Sequence, residues 1–289
     1  MGKRILYYLG CIEANNIESG RYDHIGLFKV LGIAAELLEE WNCCGASPGF
    51  YDPKFFNKVV LPLRNLGLAQ KQGLNIMYTG CAVCTKTINK ALDVVNSTAI
   101  YKDQIDYSLK PFDAALKNIN KDQTGARHFL DLLFDPEIKK NLLKNIVKDL
   151  NGQSILLYSG CYSDAARIED LKSMLVELGA KAELFSECCG GEKHQNVTPL
   201  RSKRIENANN LSAFFKSINL KADEAGFDYI LTICSMCRQN IENGMDITDL
   251  ETFAPAIGIE QFIGYLCGLT SFDEIISSCI NNNYCDQRS

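Results

Sequence analysis

The sequence predicts an α/β protein of two pseudo-symmetric, Rossmann-like lobes with parallel sheets, the cysteines gathered at the C-terminal ends of the strands. Three observations carry that expectation. First, ten of the thirteen cysteines form two copies of one pattern: a lone Cys, a Cys-Cys-Gly, then a Cys-x-x-Cys. The copies are Cys11, Cys43-Cys44-Gly45, Cys81-x-x-Cys84 and Cys161, Cys188-Cys189-Gly190, Cys234-x-x-Cys237, offset by 150, 145 and 153 residues. A repeat at that spacing means that one half is read with the other. Second, short apolar runs end directly at motif cysteines, as buried parallel strands do. Third, helical patterns lie between those runs, the βαβ alternation of a parallel sheet.

Strands are expected at 5–10, 75–80, 154–160 and 229–233, with two more at 35–41 and 181–186 leading into the Cys-Cys-Gly motifs. Helices are expected at 23–33 and at 53–72, where Pro53 stands near the start and Gly73 beyond the end. A third, at 165–178, shows its apolar face in Ile168, Leu171, Met174, Leu175 and Leu178 and is stopped by Gly179. Others are expected at 199–218, and after each Cys-x-x-Cys at 85–96 and 238–243. The chain divides into a cysteine-rich domain at 1–98, a helical connector at 99–150 and a second cysteine-rich domain at 151–289, whose tail at 253–269 reads as a loop and closing helix. In such a sheet ligands collect at the carboxyl ends of the strands. Gly10, Gly80 and Gly160 permit tight turns there.

With 46% apolar and 22% charged residues the chain is globular, and its net charge of −5 argues against nucleic acid as a partner. No apolar run reaches the roughly 18 to 20 residues that span a bilayer. The basic, apolar start ends at Gly10-Cys11 without a small-x-small cleavage pattern, and the same Gly-Cys recurs at Gly160-Cys161, so it reads as a strand rather than a signal peptide or lipobox. A cytoplasmic chain is expected, in which clustered thiols are ligands or catalysts more often than disulfides.

Buried small hydrophobes would explain isolated thiols such as Cys267, Cys279 and Cys285, but not ten at matched positions. A structural zinc needs four ligands, so the fifth cysteine of each copy counts against it. Sulfur-only ligation points to iron–sulfur chemistry. Five thiols per group imply a spare thiol or an unusual cluster with a bridging cysteine, and the closely spaced ferredoxin run is absent.

This arrangement resembles the duplicated cysteine-rich domain of the B subunit of CoB–CoM heterodisulfide reductase, over essentially the whole chain. Supporting segments are Arg127-His128-Phe129-Leu130, the run 226–232 ahead of Cys234, and the ending from Pro255 through Glu260-Gln261-Phe262-Ile263-Gly264. Related glycolate- and glycerol-oxidase subunits carry an added ferredoxin module that this chain lacks. The resemblance implies two noncubane [4Fe-4S] clusters, held by Cys11, Cys43, Cys44, Cys81 and Cys84, and by Cys161, Cys188, Cys189, Cys234 and Cys237. It further implies a disulfide substrate between them, each sulfur captured by an open iron, with homolytic cleavage. Electrons would come from an iron–sulfur C-type subunit, with a flavin-bearing A-type subunit in the complex. Two alternatives stay open: a paralogue serving sulfur oxidation or another electron-transfer complex, and a non-catalytic relay subunit.

The second copy departs from the pattern, with 26 residues between Cys161 and Cys188 and 44 between Cys189 and Cys234, against 31 and 36 in the first. A smaller iron–sulfur cluster or a zinc ion is therefore the alternative there. The longer interval holds a polar insert at 190–204 with Lys193, His194, Arg201, Lys203 and Arg204, read either as a solvated loop or as cations facing an anionic substrate. His194, five residues after Cys189, is close enough for a hydrogen bond to a cluster or for proton delivery to a product thiolate. His24 and His128 are expected to be structural or surface residues, and Trp41 to shield a cluster from water.

Overall fold

The structure is a computed structural model that describes residues 2–18, 23–46, 56–97, 99–112, 114, 116, 123–186, 189, 218, 222, 225–247 and 254–275. The first sheet holds β1 (Lys3–Tyr7), β2 (Ile33–Leu37), β3 (Ile76–Thr79) and β4 (Gly125–His128), in the order β2-β1-β3-β4. The second holds β5 (Ser154–Tyr158), β6 (Lys181–Phe185), β7 (Tyr229–Thr232) and β8 (Ala256–Gly258), in the order β6-β5-β7-β8. Every pairing is parallel and the two orders are the same, so the cysteine repeat is a repeat of fold. Order reverses between β1 and β3, and between β5 and β7. A ligand crevice forms at such a switch point, outside the strands' carboxyl ends.

The helices of the first lobe are α1 (Gly10–Glu18), α2 (His24–Val30), α3 (Phe56–Lys71), α4 (Ala82–Ser97), α5 (Ala99–Leu109), α6 (Phe129–Leu133) and α7 (Pro136–Asn145), with a 3₁₀ turn at Lys110–Phe112. Among the described residues the second has α8 (Ala165–Glu177), α9 (Ser235–Ile247), α10 (Ile259–Leu266) and a helical stretch at 272–275. Strand residues alternate between two cores, each running through both lobes. Leu6, Tyr8, Leu156 and Tyr158 belong to one, together with six motif cysteines. Ile5, Tyr7, Ile155 and Leu157 belong to the other. Burying each Leu or Ile side chain contributes about 1.5–3 kcal/mol, so the shared cores bind the lobes into one body.

All six expected strands form, but several limits move. β1 stops at Tyr7, and Gly10, at φ +69°, turns the chain into α1, so Cys11 sits in a helix instead of directly on a strand end. The expected helix at 23–33 gives up Ile33 to β2, which begins two residues earlier than the strand expected at 35–41. The helices after the Cys-x-x-Cys motifs begin at Ala82 and Ser235, inside the motifs. The stretch 99–150, expected to be helices and connector, also supplies β4, and the tail supplies β8, each the fourth strand of its sheet. The expected helix at 199–218 lies outside the described residues, Ile218 apart. Among the described residues no helix is long and apolar enough to cross a membrane.

Candidate metal centre

The Cys43-Cys44 loop is held by a polar clasp on α3. Asn42 receives a hydrogen bond at its carbonyl from Tyr8 Oη, 2.9 Å, and another from Asn65 Nδ2, 2.7 Å. Its own N–H donates to Asn65 Oδ1, 2.9 Å, and its side chain to the Leu61 carbonyl, 2.9 Å. Arg64 closes the clasp on the Glu40 carbonyl and Asn42 Oδ1, at 2.7 and 2.8 Å. This matters because a loop that must present two adjacent thiols is otherwise free to turn them away. Trp41 packs edge-on against Tyr8, ring centroids 5.8 Å apart, beneath the site.

All five cysteines of the first motif line one small cavity of about 20 Å³, shared with Gly10, Val83 and, from the second lobe, Ser235 and Met236. Cys44, Cys81 and Cys84 are buried, Cys43 is half-buried and Cys11 is exposed. A Cβ at Gly10 would meet Cys84 Sγ at 3.4 Å, so the backbone there lies against the thiol wall.

The second site repeats the plan. Cys189 Sγ and Cys237 Sγ stand 3.4 Å apart, and Asn240 Nδ2 reaches Cys189 Sγ at 3.5 Å. Gly160, at φ +57°, presses on Cys237, whose Sγ would be 2.7 Å from an added Cβ. Tyr158 stacks on Phe185 where Tyr8 meets Trp41 in the first lobe. Cys161 is half-buried against the same core. Cys188, Gly190 and His194, with the whole 190–204 insert, lie outside the described residues.

The sites meet at a seam. Cys81 Sγ and Cys234 Sγ are 3.9 Å apart, the Ala82 N–H donates to Cys234 Sγ at 3.2 Å, and the Ser235 N–H donates to the Gly80 carbonyl at 3.1 Å. Thus the start of each Cys-x-x-Cys helix reaches into the other lobe.

Crowding governs the charge of these thiols. Cys11 is held above the ordinary thiol range, first by its contact with Cys43 and then by burial. Cys44 is pushed up to about 12, first by Cys43. Cys81 is raised first by Cys234, Cys84 by Cys44 and Cys237 by Cys189. Cys234 moves the other way, first through its contact with Cys237 and then through that with Cys81. Thiols packed this tightly resist ionising together, and a soft metal group removes the obstacle by neutralising the thiolates. The donor set therefore fits such a group. Among the described residues no three Cys, His, Asp or Glu side chains already share the position of a single ion; the five thiols line a wall.

A model of the cysteine-rich domain named CCG matches residues 5–89 and again 155–242. The chain belongs to the CCG cysteine-rich domain family. Both matches take in one complete copy of the motif, so this is a duplicated CCG protein. It is also similar, at 23% identity over 93% of its length and 94% of the relative's, to the 8-methylmenaquinol:fumarate reductase membrane anchor subunit of Wolinella succinogenes. Its fold is that of a crystal structure of a hypothetical protein from Helicobacter pylori, with a TM-score of 0.63 and 12% identity over 95% of this chain. The CCG chain spans 52% of that structure.

Sequence reasoning passed over the Asn42–Asn65–Arg64 clasp, because loop polarity carries no period. Glu260, named above only within the segment that carries the resemblance, sets its carboxyl against Gly80, and Tyr162, which sequence reasoning passed over, donates to Asp131 at 2.6 Å beside His128. His24 and His128, expected to be structural or surface residues, are both buried. Burial lowers the pKa of His24 to about 3.

Proposed function

We propose that this CCG protein is the iron–sulfur subunit of a redox complex of heterodisulfide-reductase type, reducing or forming a disulfide or sulfur-carrier bond. In this reading residues 1–98 and 151–289 are two cysteine-rich domains joined by 99–150, and each set of five cysteines holds one noncubane [4Fe-4S] cluster. The observation that carries it is the convergence of five thiols on one cavity whose wall is completed by the other lobe. When bound, the clusters supply one-electron chemistry at sulfur. The chain's own residues present the thiols, bury Cys44, Cys81 and Cys84 from water, and keep the two sites adjacent through Cys81 and Cys234. A C-type iron–sulfur subunit and an A-type flavin subunit would deliver electrons in the cytoplasm.

A second reading follows from the Wolinella succinogenes relative, whose name places it in a fumarate reductase as the membrane anchor subunit. By that reading the chain relays electrons within a quinol-linked complex and cleaves no disulfide. Anaerobic purification with iron, sulfide and zinc analysis, and EPR of the oxidised and reduced protein, tests the shared part. Two clusters predict about eight irons per chain and no zinc. About half that iron, or one zinc, leaves the second site with a smaller group or an ion. Disulfide cleavage by the reduced protein alone, with an artificial donor, separates the catalytic reading from the relay.

A further inference from the structure

We infer that Ser235, carried by the second lobe, is a hydrogen-bond donor to an anionic sulfur held in the first lobe's cysteine cavity. Ser235 lines that cavity with all five cysteines of the first motif. It is 4% exposed, and among the described residues its Oγ has no hydrogen-bond partner. A buried hydroxyl left without a partner costs about 1–3 kcal/mol, so an orphan in the wall of a ligand site marks a place for one. Its backbone is fixed, since the Ser235 N–H donates to the Gly80 carbonyl at 3.1 Å, next to Cys81. Ser235 also opens α9, a helix of 13 residues, whose N-terminal dipole favours negative charge at the same spot.

The corresponding residue of the other lobe sharpens the assignment. In the duplicated motif Ser235 of Cys234-Ser235-Met236-Cys237 matches Ala82 of Cys81-Ala82-Val83-Cys84. The residue that reaches from the first lobe to the second site therefore has no hydroxyl, and it offers only its N–H, to Cys234 Sγ. At this crossing position the two lobes differ by one hydroxyl donor, and Ser235 sets the first site apart. A donor to sulfur stabilises the more negative, reduced state and raises the reduction potential, so its loss lowers that potential.

The inference rests on the iron–sulfur reading above, and the experiment keeps the two apart. Wild type, Ser235→Ala and Ser235→Thr are reconstituted anaerobically with iron and sulfide and compared by proton ENDOR in H₂O and D₂O, with redox titration. Iron content decides the iron–sulfur reading by itself. The expected result is an exchangeable proton coupled to one cluster, lost in Ser235→Ala with a fall in that cluster's potential, and restored in Ser235→Thr. Coupling without added thiol assigns the sulfur to the cluster or its ligands; coupling only after dithiothreitol is added assigns it to a substrate sulfur. The same spectrum and potential in wild type and Ser235→Ala would overturn the inference. If no iron loads, the iron–sulfur reading falls, and the three proteins are loaded with ¹¹³Cd. A cadmium chemical shift that moves in Ser235→Ala and returns in Ser235→Thr then supports the donor, and an unmoved shift overturns it.

Discussion

The Tyr7 hydroxyl donates to Glu260 Oε1 at 2.6 Å, tying β1 of the first lobe to α10 of the second. Glu260 is buried, and its pKa is raised to about 8 by burial first and by Glu13 next, with Cys234 adding to the rise and the Tyr7 hydrogen bond opposing it. Between the ordinary carboxyl value of 4.5 and about 8 the folded chain holds a proton that the unfolded chain has released. Stability therefore falls as pH rises through that window. Replacing Glu260 with Gln should flatten this slope while keeping the contact with Tyr7. Urea midpoints at about pH 5 and pH 9 check it, and a slope unchanged in the variant would dismiss Glu260 as its source.

His24 acts at the acid end. It packs on Tyr7 and Phe28, 3.6 Å from Glu13, and burial lowers its pKa to about 3 from 6.5. The unfolded chain binds a proton there that the folded chain refuses, so stability is lost as pH falls from 6.5 toward 3. His24→Gln should narrow the difference in thermal midpoint between about pH 4 and pH 7.

Gly160 and Gly10 should not be equivalent under mutation. An alanine methyl at Gly160 would stand 2.7 Å from Cys237 Sγ, whereas at Gly10 it meets Cys84 Sγ at 3.4 Å. Both positions carry left-handed φ, at a cost of about 1–3 kcal/mol for a side chain. Gly160→Ala should also displace Cys237 and lower metal uptake by the second site alone, read as metal bound per chain. Gly10→Ala should lose stability with little loss of metal.

Arg238 and Glu242 form a buried ion pair at 2.7 Å, and Arg238 Nη1 also reaches Gln261 Oε1 at 2.6 Å. Removing one partner strands a buried charge, so Arg238→Met should cost about 3–5 kcal/mol. Arg238→Met with Glu242→Leu should recover much of that loss, measured by chemical denaturation.

Replacing Cys43 or Cys44 with Ala should remove the iron of the first site and leave the second. Iron analysis and EPR check it, and two intact cluster signals would remove the bridging role from that cysteine pair.

Much of this was legible in the sequence, for a physical reason. Buried parallel strands must be short apolar runs, so β1, β3, β5 and β7 stood out next to the cysteines that follow them. β4 escaped because Ala126-Arg127-His128 mixes buried and exposed residues inside a lysine- and asparagine-rich stretch. β8 has only three residues, too few to show any period. The ten cysteines are legible in sequence as two copies of one motif, but the seam between Cys81 and Cys234 is not, since 153 residues separate them and no local pattern encodes which lobe faces which. The same holds for Ser235, an ordinary residue in sequence that only the packing of one lobe on the other carries into a cavity.

That crossing at the seam has a consequence for the chain as a whole. Each lobe by itself would expose a half-finished wall of thiols, with a helix start projecting into water and no cavity for it to close. Two such lobes set face to face finish one another, as two identical subunits do across a self-complementary interface. Here the second subunit is supplied by the same polypeptide, so the pairing does not depend on protein concentration. Because the two halves are joined, each has been free to acquire its own side chain at the crossing point, Ala82 in one and Ser235 in the other, as two copies of one gene product could not.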